Sequence, residues 1–206
     1  MPELSALALV CTLTPSPAPS SSELMGRRVL EALERHGVRT SSVRVVDHDV
    51  RPGVKTDMGA GDQWPAIRRQ VLDADILVIA TPIWLGHPSS VAQRVLERLD
   101  AELSETDDRG RPIMYDKTAI VAVVGNEDGA HKTIADLTQA LSDVGFTVPA
   151  QAGTYWVGEA MQSVDYQDLE EVPEAVASTT AGAARNAVHL ARLLRGHPYP
   201  ADGGEG

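Results

Sequence analysis

Residues 75–90 of this 206-residue chain read DILVIATPIWLGHPSS and decide its fold. The first six residues are a short, β-branched apolar run, which is typical of a strand covered on both faces. Pro82 and Gly86 then interrupt the run, and Ser89 and Ser90 precede a stretch with helical spacing of apolar residues. A buried strand that leads through a loop into a helix is the repeating unit of a parallel α/β sheet.

Four further apolar runs extend this pattern along the chain. They are residues 6–12 (ALALVCT), 43–47 (VRVVD), 118–124 (TAIVAVV) and 146–148 (FTV). The first and third are apolar almost throughout and are expected near the centre of the sheet, whereas the other two are expected at its edges. With right-handed crossovers, five such strands predict a flavodoxin-like doubly wound parallel sheet of order 2-1-3-4-5, with helices on both faces.

Helical spacing of apolar residues fills the gaps between these runs. Helices are predicted over residues 24–36, 64–72, 90–103, 134–144 and 177–195. Ser20 and Glu23 have capping-box spacing before the first helix, and Ser90 and Gln93 have it at the start of the third. Residues 1–196 are therefore expected to form one domain, and residues 197–206 a disordered tail.

The composition excludes several classes of protein. With 18 Lys+Arg against 29 Asp+Glu, the net charge of −11 argues against binding to nucleic acid or to an anionic membrane. Cys11 is the single cysteine, which excludes a disulfide framework, and the Asp47-His48-Asp49 stretch is interpreted as solvated charge, so no metal site is predicted. The chain lacks a long apolar run and a signal-peptide pattern, so a cytoplasmic location is expected.

The loop after the first run carries the first candidate site. Residues 12–22 (TLTPSPAPSSS) hold six hydroxyl side chains and three prolines, with neither glycine nor a basic residue. Dinucleotide and Walker-type loops need glycines, so both are excluded. A hydroxyl-lined turn at a helix N-terminus favours a phosphate through free N–H groups and the helix dipole, and a monophosphate ester fits it. The alternative is that the serines only cap the helix.

Two motifs support the phosphate interpretation. Residues 81–89 (TPIWLGHPS) match the pattern T-P-x-[YW]-x-G-x-x-S throughout. Residues 14–21 (TPSPAPSS) follow S-P-R-x-x-G-N-[ST], with Ser16 in place of the arginine and Pro19 in place of the glycine. In these motifs residues 6–150 resemble the NADPH-dependent FMN reductase and flavodoxin superfamily.

The resemblance implies that three loops bind FMN. The implied cofactor-binding residues are Thr12, Thr14, Ser16, Ser20, Ser21 and Ser22 around the phosphate, Pro82, Ile83, Trp84, Leu85 and Gly86 along the isoalloxazine ring, and Gly125, Asn126 and Gly129 in the third loop. No catalytic side chain is assigned, because the chemistry centres on the flavin. An acid–base role for Glu127, Asp128 or His131 is left open beside their interpretation as helix-dipole partners.

The long segment 151–173 is aromatic, which favours order over disorder. Tyr155 and Trp156 are predicted to line the pocket of the electron acceptor, and the alternative is that this segment packs in a dimer interface. Arg27, Arg28 and Lys132 are candidates for contact with the 2′-phosphate of NADPH. A homodimer or homotetramer, the identity of the acceptor and the choice between NADPH and NADH are left open.

The resemblance implies an enzyme. It would be an FMN-dependent NAD(P)H oxidoreductase that passes hydride from the nicotinamide to the flavin and then reduces a flavin, a quinone or a similar small acceptor. The alternative is a flavodoxin-type electron carrier that binds FMN without oxidising NAD(P)H, for which the acidic charge is also suited. A receiver domain is excluded, because Cys11-Thr12 and Ala80-Thr81 stand at the strand ends where acidic residues would be needed.

Overall fold

Five parallel strands form the central sheet of the computed structural model, which describes residues 3–160 and 162–201. The strands of the protein are β1 (Leu4–Val10), β2 (Val38–Arg44), β3 (Ile76–Trp84), β4 (His87–Pro88), β5 (Thr118–Gly125) and β6 (Gly153–Val157). The sheet order is β2-β1-β3-β5-β6, and the short β4 pairs antiparallel with the end of β3. The predicted flavodoxin-like order is confirmed, with β4 as an addition.

Helices cover both faces of the sheet, as predicted. They are α1 (Ser21–Glu34), α2 (Trp64–Asp73), α3 (Ser90–Leu99), α4 (Ala130–Val144) and α5 (Glu174–Gly196). Alternate residues of each strand face opposite sides. Leu7 and Leu9 of β1 pack with α2, α3 and α4, whereas Ala6 and Ala8 pack with α1 and α5.

The start of α1 is fixed by its sequence and by a close approach to the sheet. The Ser20 hydroxyl accepts a hydrogen bond from the Glu23 N–H at 3.3 Å, which confirms the predicted N-cap. A Cβ built on Gly26 would stand 3.1 Å from the Ala80 Cβ. Because that glycine carries no side chain, α1 lies close to the end of β3, and its N-terminus is brought to the carboxyl edge of the sheet.

Both edge strands differ from the prediction. The second strand is Val38–Arg44 and is followed by a 3₁₀ turn over Val45–Asp47, where the sequence predicted a strand over 43–47. The fifth is Gly153–Val157, whereas Thr147 of the predicted run 146–148 forms only an isolated bridge with Thr118. Edge strands are exposed on one side and carry polar residues, so their local patterns are weak.

One further prediction is corrected by a local contact at the start of α3. The N-cap of α3 is Ser89 instead of Ser90, because the Ser89 hydroxyl accepts the Ala92 N–H at 3.1 Å. Of the expected disordered tail, residues 197–201 are described, and Tyr199 lies against the domain: its N–H donates to Asp116 Oδ1 at 2.8 Å. Residues 202–206 lie outside the described residues. Among the helices of the described part, none has the length and apolar character to cross a membrane.

Candidate functional site

A cavity of about 410 Å³ opens at the carboxyl ends of β1, β3 and β5. This is the switch point of the sheet, where ligands of doubly wound folds bind. The volume lies within the usual range for pockets that hold small molecules. The described residues that line it are Thr12, Leu13, Thr14, Pro19, Ser20, Ser21, Ser22, Pro82, Ile83, Trp84, Val124, Gly125, Asn126, Glu127, Trp156, Gln162, Asp165, Tyr166 and Gln167.

The hydroxyl-rich loop and the first turn of α1 form one end of the cavity. The Ser20 hydroxyl accepts a hydrogen bond from the Glu23 N–H, and the Ser20 carbonyl oxygen accepts one from the Leu24 N–H at 3.0 Å. The N–H groups of Ser21 and Ser22 precede this first helical bond and so have no partner within the helix. Hydroxyl groups, free N–H groups and the positive end of the helix dipole together suit a phosphate.

Ser16 is the one member of the predicted phosphate group that does not line the cavity. Its N–H donates to Asp47 Oδ1 at 2.8 Å, and its hydroxyl donates to Asp47 Oδ2 at 2.6 Å. These hydrogen bonds from Ser16 hold the pKa of Asp47 below its usual value. Ser16 therefore fastens the loop to the 3₁₀ turn that follows β2.

The second loop is a β-hairpin whose tip projects from the cavity. Trp84 pairs with His87 across a two-residue turn, in which Leu85 (φ +52°) and Gly86 (φ +73°) both have left-handed backbones. Positive φ at both central positions is the geometry of a type I′ turn. Pro82, Ile83 and Trp84 line the cavity, whereas Leu85 and Gly86, which were also predicted as ligands, do not. Trp84 lines the cavity although the residue is 56% exposed to solvent.

The third loop packs against this hairpin. Gly125 lies on Ile83, since a Cβ built on it would stand 3.0 Å from the Ile83 Cβ. Glu127 Oε1 accepts the Leu85 N–H at 2.7 Å, and Glu127 also lines the cavity. Of the three residues predicted in this loop, Gly125 and Asn126 line the cavity, whereas Gly129 does not. Asp128 and His131 also lie outside the lining, so Glu127 is the acidic residue of this loop that faces the site.

The neighbouring aromatic residues Tyr155 and Trp156 face different places, as alternate residues of a strand do. Trp156 lines the cavity, and its ring centroid lies 5.6 Å from that of Tyr166. The Tyr155 hydroxyl lies 3.1 Å from His131 Nε2, in a separate hollow. Of the two residues predicted for the acceptor pocket, the structure brings only Trp156 to the cavity.

The segment 162–167 closes one side of the cavity, although the sequence singled out none of its residues for the site. Asn126 Nδ2 donates to Asp165 Oδ1 at 2.9 Å, and the Gln167 N–H donates to Ser21 Oγ at 3.2 Å. Tyr166 is buried, and burial raises the pKa of its phenol. The aromatic content of the segment indicated order, but no local pattern indicated which loop it would contact.

The three predicted cations are not directed into the cavity. The Arg28 guanidinium lies 5.5 Å from the centroid of the Tyr166 ring, and Lys132 pairs with Asp136 at 2.6 Å. Arg27 is exposed, 3.9 Å from Glu31. Among the described lining residues there is no lysine or arginine, while Glu127 and Asp165 contribute carboxylates.

Two buried polar atoms of the lining have no hydrogen-bond partner among the residues that the structure describes. They are Asn126 Oδ1 and the Tyr166 hydroxyl. A buried polar atom without a partner costs free energy, which a polar ligand would recover. With the serine-lined helix end on one side and two tryptophans elsewhere in the lining, the cavity is chemically suited to a phosphate ester of a flat aromatic ring.

Comparison with known proteins agrees with this chemistry. The family model described as NADPH-dependent FMN reductase matches residues 6–162. The 8-demethyl-8-aminoriboflavin-5′-phosphate synthase of Streptomyces davaonensis is 34% identical over 211 residues, which cover 97% of this chain and 81% of that protein. The structure of RosB with bound 8-demethyl-8-formylriboflavin-5′-phosphate superimposes with a TM-score of 0.86 at 32% identity, covering 95% of this chain and 82% of that one.

A second relative is much longer than this chain. A protein of Mycobacterium bovis described as divalent metal cation transporter MntH is 38% identical over 199 residues. The alignment covers 93% of this chain but only 29% of that protein. The chain thus spans less than a third of that relative's length.

Proposed function

Because the chain belongs to the NADPH-dependent FMN reductase family and is therefore an oxidoreductase, we propose that its cavity binds FMN and that the protein transfers hydride from NAD(P)H to a small acceptor. The acceptor would be a flavin, a quinone or a similar molecule. One observation carries the proposal: a single cavity joins the start of α1, where the Ser21 and Ser22 N–H groups have no partner within the helix, to aromatic walls at the switch point of the sheet.

The phosphate would lie at the start of α1. Thr12, Thr14 and the serines Ser20, Ser21 and Ser22 would surround it, with N–H and hydroxyl groups as donors. No lysine is needed, because the helix N-terminus favours an anion by itself. Ser16 would act indirectly, by holding the loop to Asp47.

The ring system would lie between the second and third loops. The backbone of Pro82, Ile83 and Trp84 would follow one edge, and Gly125 and Asn126 another. Leu85, Gly86 and Gly129 would shape these loops without contacting the ligand. When bound, FMN supplies the hydride-accepting and hydride-donating chemistry. The residues of this chain bind and orient the reactants, and backbone N–H groups stabilise negative charge that develops at the edge of the ring.

Calorimetry and anaerobic spectroscopy test this proposal. The purified protein should bind FMN with one site per chain, and NADPH or NADH added without air should bleach the flavin absorption band within one turnover. Absence of FMN binding would overturn the proposal. A protein that binds FMN but is not bleached by either nicotinamide would not be an NAD(P)H oxidoreductase. It would be a carrier of the flavodoxin type, the alternative that the sequence left open, or the flavin-modifying enzyme considered next.

A second candidate is modification of the flavin ring. It is favoured by the similarity to the Streptomyces synthase and to RosB, whose bound intermediate is a riboflavin phosphate altered at position 8. FMN would then be a substrate in the same cavity. Mass spectrometry of the flavin recovered after incubation with NAD(P)H and oxygen separates the two: unchanged FMN supports the reductase, and a product altered at the 8-methyl group supports modification.

Location and assembly belong to the same proposal. We place the protein in the cytoplasm, where NAD(P)H is available, with neither nucleic acid nor membrane as a partner. Self-association as a homodimer or homotetramer would be measured by sedimentation of the FMN-loaded protein.

A further inference from the structure

The loop that precedes α1 is held from outside the cavity by one buried arginine. Arg44 is the last residue of β2, and its side chain is 6% exposed. Its Nη1 donates to the carbonyl oxygen of Ala18 at 2.9 Å and to that of Thr14 at 3.3 Å. Residues 12–20 are named the phosphate loop below. Arg44 thus ties two points of the phosphate loop to the edge of the sheet without lining the cavity.

Arg44 also controls a negative charge beside the proposed phosphate. Its Nη2 lies 2.5 Å from Glu23 Oε2, and Glu23 stands in the first turn of α1. The helix dipole stabilises a carboxylate at this place. The same carboxylate would repel a phosphate dianion bound at the same helix end. The buried guanidinium compensates that carboxylate and holds it towards β2.

Ser16 supplies a third attachment of the loop on the same side. Its N–H and its hydroxyl donate to Asp47, three residues after Arg44. The phosphate loop is therefore fastened at Thr14, Ser16 and Ala18 from a single edge of the sheet.

From these contacts we propose that Arg44 is the positioning residue for the phosphate of FMN, and that it makes the protein bind FMN more tightly than riboflavin. The inference rests on the proposed function. Arg44 acts through the loop and through Glu23, without touching the ligand. Holding the loop in its binding shape before the ligand arrives lowers the entropic cost of binding, and this benefit applies only to a ligand that carries the phosphate.

The test is a pair of fluorescence titrations, with FMN and with riboflavin, on the same protein samples. We expect Arg44→Met to raise the Kd of FMN by about tenfold and to change the Kd of riboflavin by less than about twofold, because the lost contacts serve the phosphate end only. Adding Glu23→Gln to Arg44→Met should recover part of the FMN affinity, since it removes the uncompensated carboxylate. Arg44→Lys should show an intermediate preference, because one ammonium cannot reach the loop carbonyls and Glu23 together.

Arg68→Met is the matched control. Arg68 also makes a buried ion pair, with Nε 2.7 Å from Glu102 Oε1, but it does not line the cavity or contact the phosphate loop. This variant should lose thermal stability and keep the wild-type preference for FMN over riboflavin. If Arg44→Met does not fold, the preference of Arg44→Lys for FMN over riboflavin tests the inference.

The outcomes separate this inference from the proposed function. An equal loss of affinity for both ligands, or a wild-type preference in Arg44→Lys, would show a structural role only and overturn the inference while FMN binding stands. A wild-type protein that binds both flavins equally would also overturn it. A wild-type protein that binds neither flavin would overturn the proposed function itself.

Discussion

Gly129 lies directly on Gly86: a Cβ built on Gly129 would stand 2.8 Å from the Gly86 Cα. This contact joins the third loop of the site to the tip of the β3–β4 hairpin, backbone against backbone. The same two loops are joined a second time by Glu127 and the Leu85 N–H. The spacing of the loops that would flank the flavin ring is therefore set by the absence of a side chain at Gly129.

Alanine substitutions at the two glycines should have unequal effects. In Gly129→Ala the new methyl group would overlap Gly86, and an L residue would be strained at φ +120°. We therefore expect this variant to lose about 3 kcal/mol in the free energy of unfolding and to bind FMN more weakly. Gly86→Ala has open space and only the strain of φ +73°, with an expected loss of about 1 kcal/mol. Thermal denaturation and FMN titration measure both. Equal losses would contradict the packing argument.

Trp84 should matter for flavin binding and little for folding. Its side chain is 56% exposed but lines the cavity, whereas the neighbouring Leu85 is 88% exposed and does not. We expect Trp84→Ala to raise the Kd of FMN by about tenfold through the loss of an aromatic contact, with a nearly unchanged melting temperature. Leu85→Ala is the matched control and should change neither quantity. A similar FMN affinity in both variants would remove Trp84 from the site.

Alanine substitutions of Trp156 and Tyr155 should have different effects on the KM of the electron acceptor. We expect Trp156→Ala to raise the KM of the electron acceptor or to change the preference among acceptors, because this ring lines the cavity. Tyr155→Ala removes a contact with His131 in the separate hollow and should leave the KM values near those of the wild type. Steady-state rates with a quinone and with free flavin would test this. Unchanged kinetics of Trp156→Ala with every acceptor would exclude it from the acceptor pocket.

The buried Asp62–Arg98 pair should make stability depend on pH. The Nη1 atom of Arg98 lies 2.8 Å from Asp62 Oδ2, and both side chains are fully buried. Burial alone would raise the pKa of Asp62, but hydrogen bonds from the Met58 N–H, the Arg98 guanidinium and the Trp64 N–H hold that pKa below its usual value. We expect Asp62→Asn to lower the free energy of unfolding by about 3 kcal/mol at pH 7, because it leaves the arginine charge buried without its partner.

The sign of the pH effect follows from the lowered pKa. The contribution of Asp62 is complete above the pKa of the unfolded chain, close to 4, and is lost as the pH falls through the lower folded value. The difference in unfolding free energy between wild type and Asp62→Asn should therefore be constant from about pH 8 to 5 and shrink in acid. Denaturant unfolding at pH 7, 5 and 3 measures it, with the exposed Asp108→Asn as control. A difference that grows in acid would contradict the assignment.

The two central strands and the hydroxyl-lined helix start beside the cavity could be predicted from the sequence alone. Residues 76–80 and 119–124 are apolar throughout because both faces of a central strand are buried, and this leaves a signal that needs no knowledge of neighbours. The Ser20 cap is also local, since a helix start depends on residues a few positions apart. The sequence indicated a loop around Trp84, but the pairing of Trp84 with His87 in a hairpin was not predicted.

Only the tertiary structure decided which residues meet at the rest of the site. The structure shows where the polar edge strands Val38–Arg44 and Gly153–Val157 lie in the sheet. It also shows that Ser16 binds Asp47, and that Trp156 lines the cavity while Tyr155 does not. Gln167 reaches Ser21 across 146 positions of the chain. Such contacts depend on the register of the sheet and on the packing of helices against it, so no local periodicity encodes them. The sequence by itself determined the fold and the helix end that suits a phosphate, and the assembled sheet determined the walls around it.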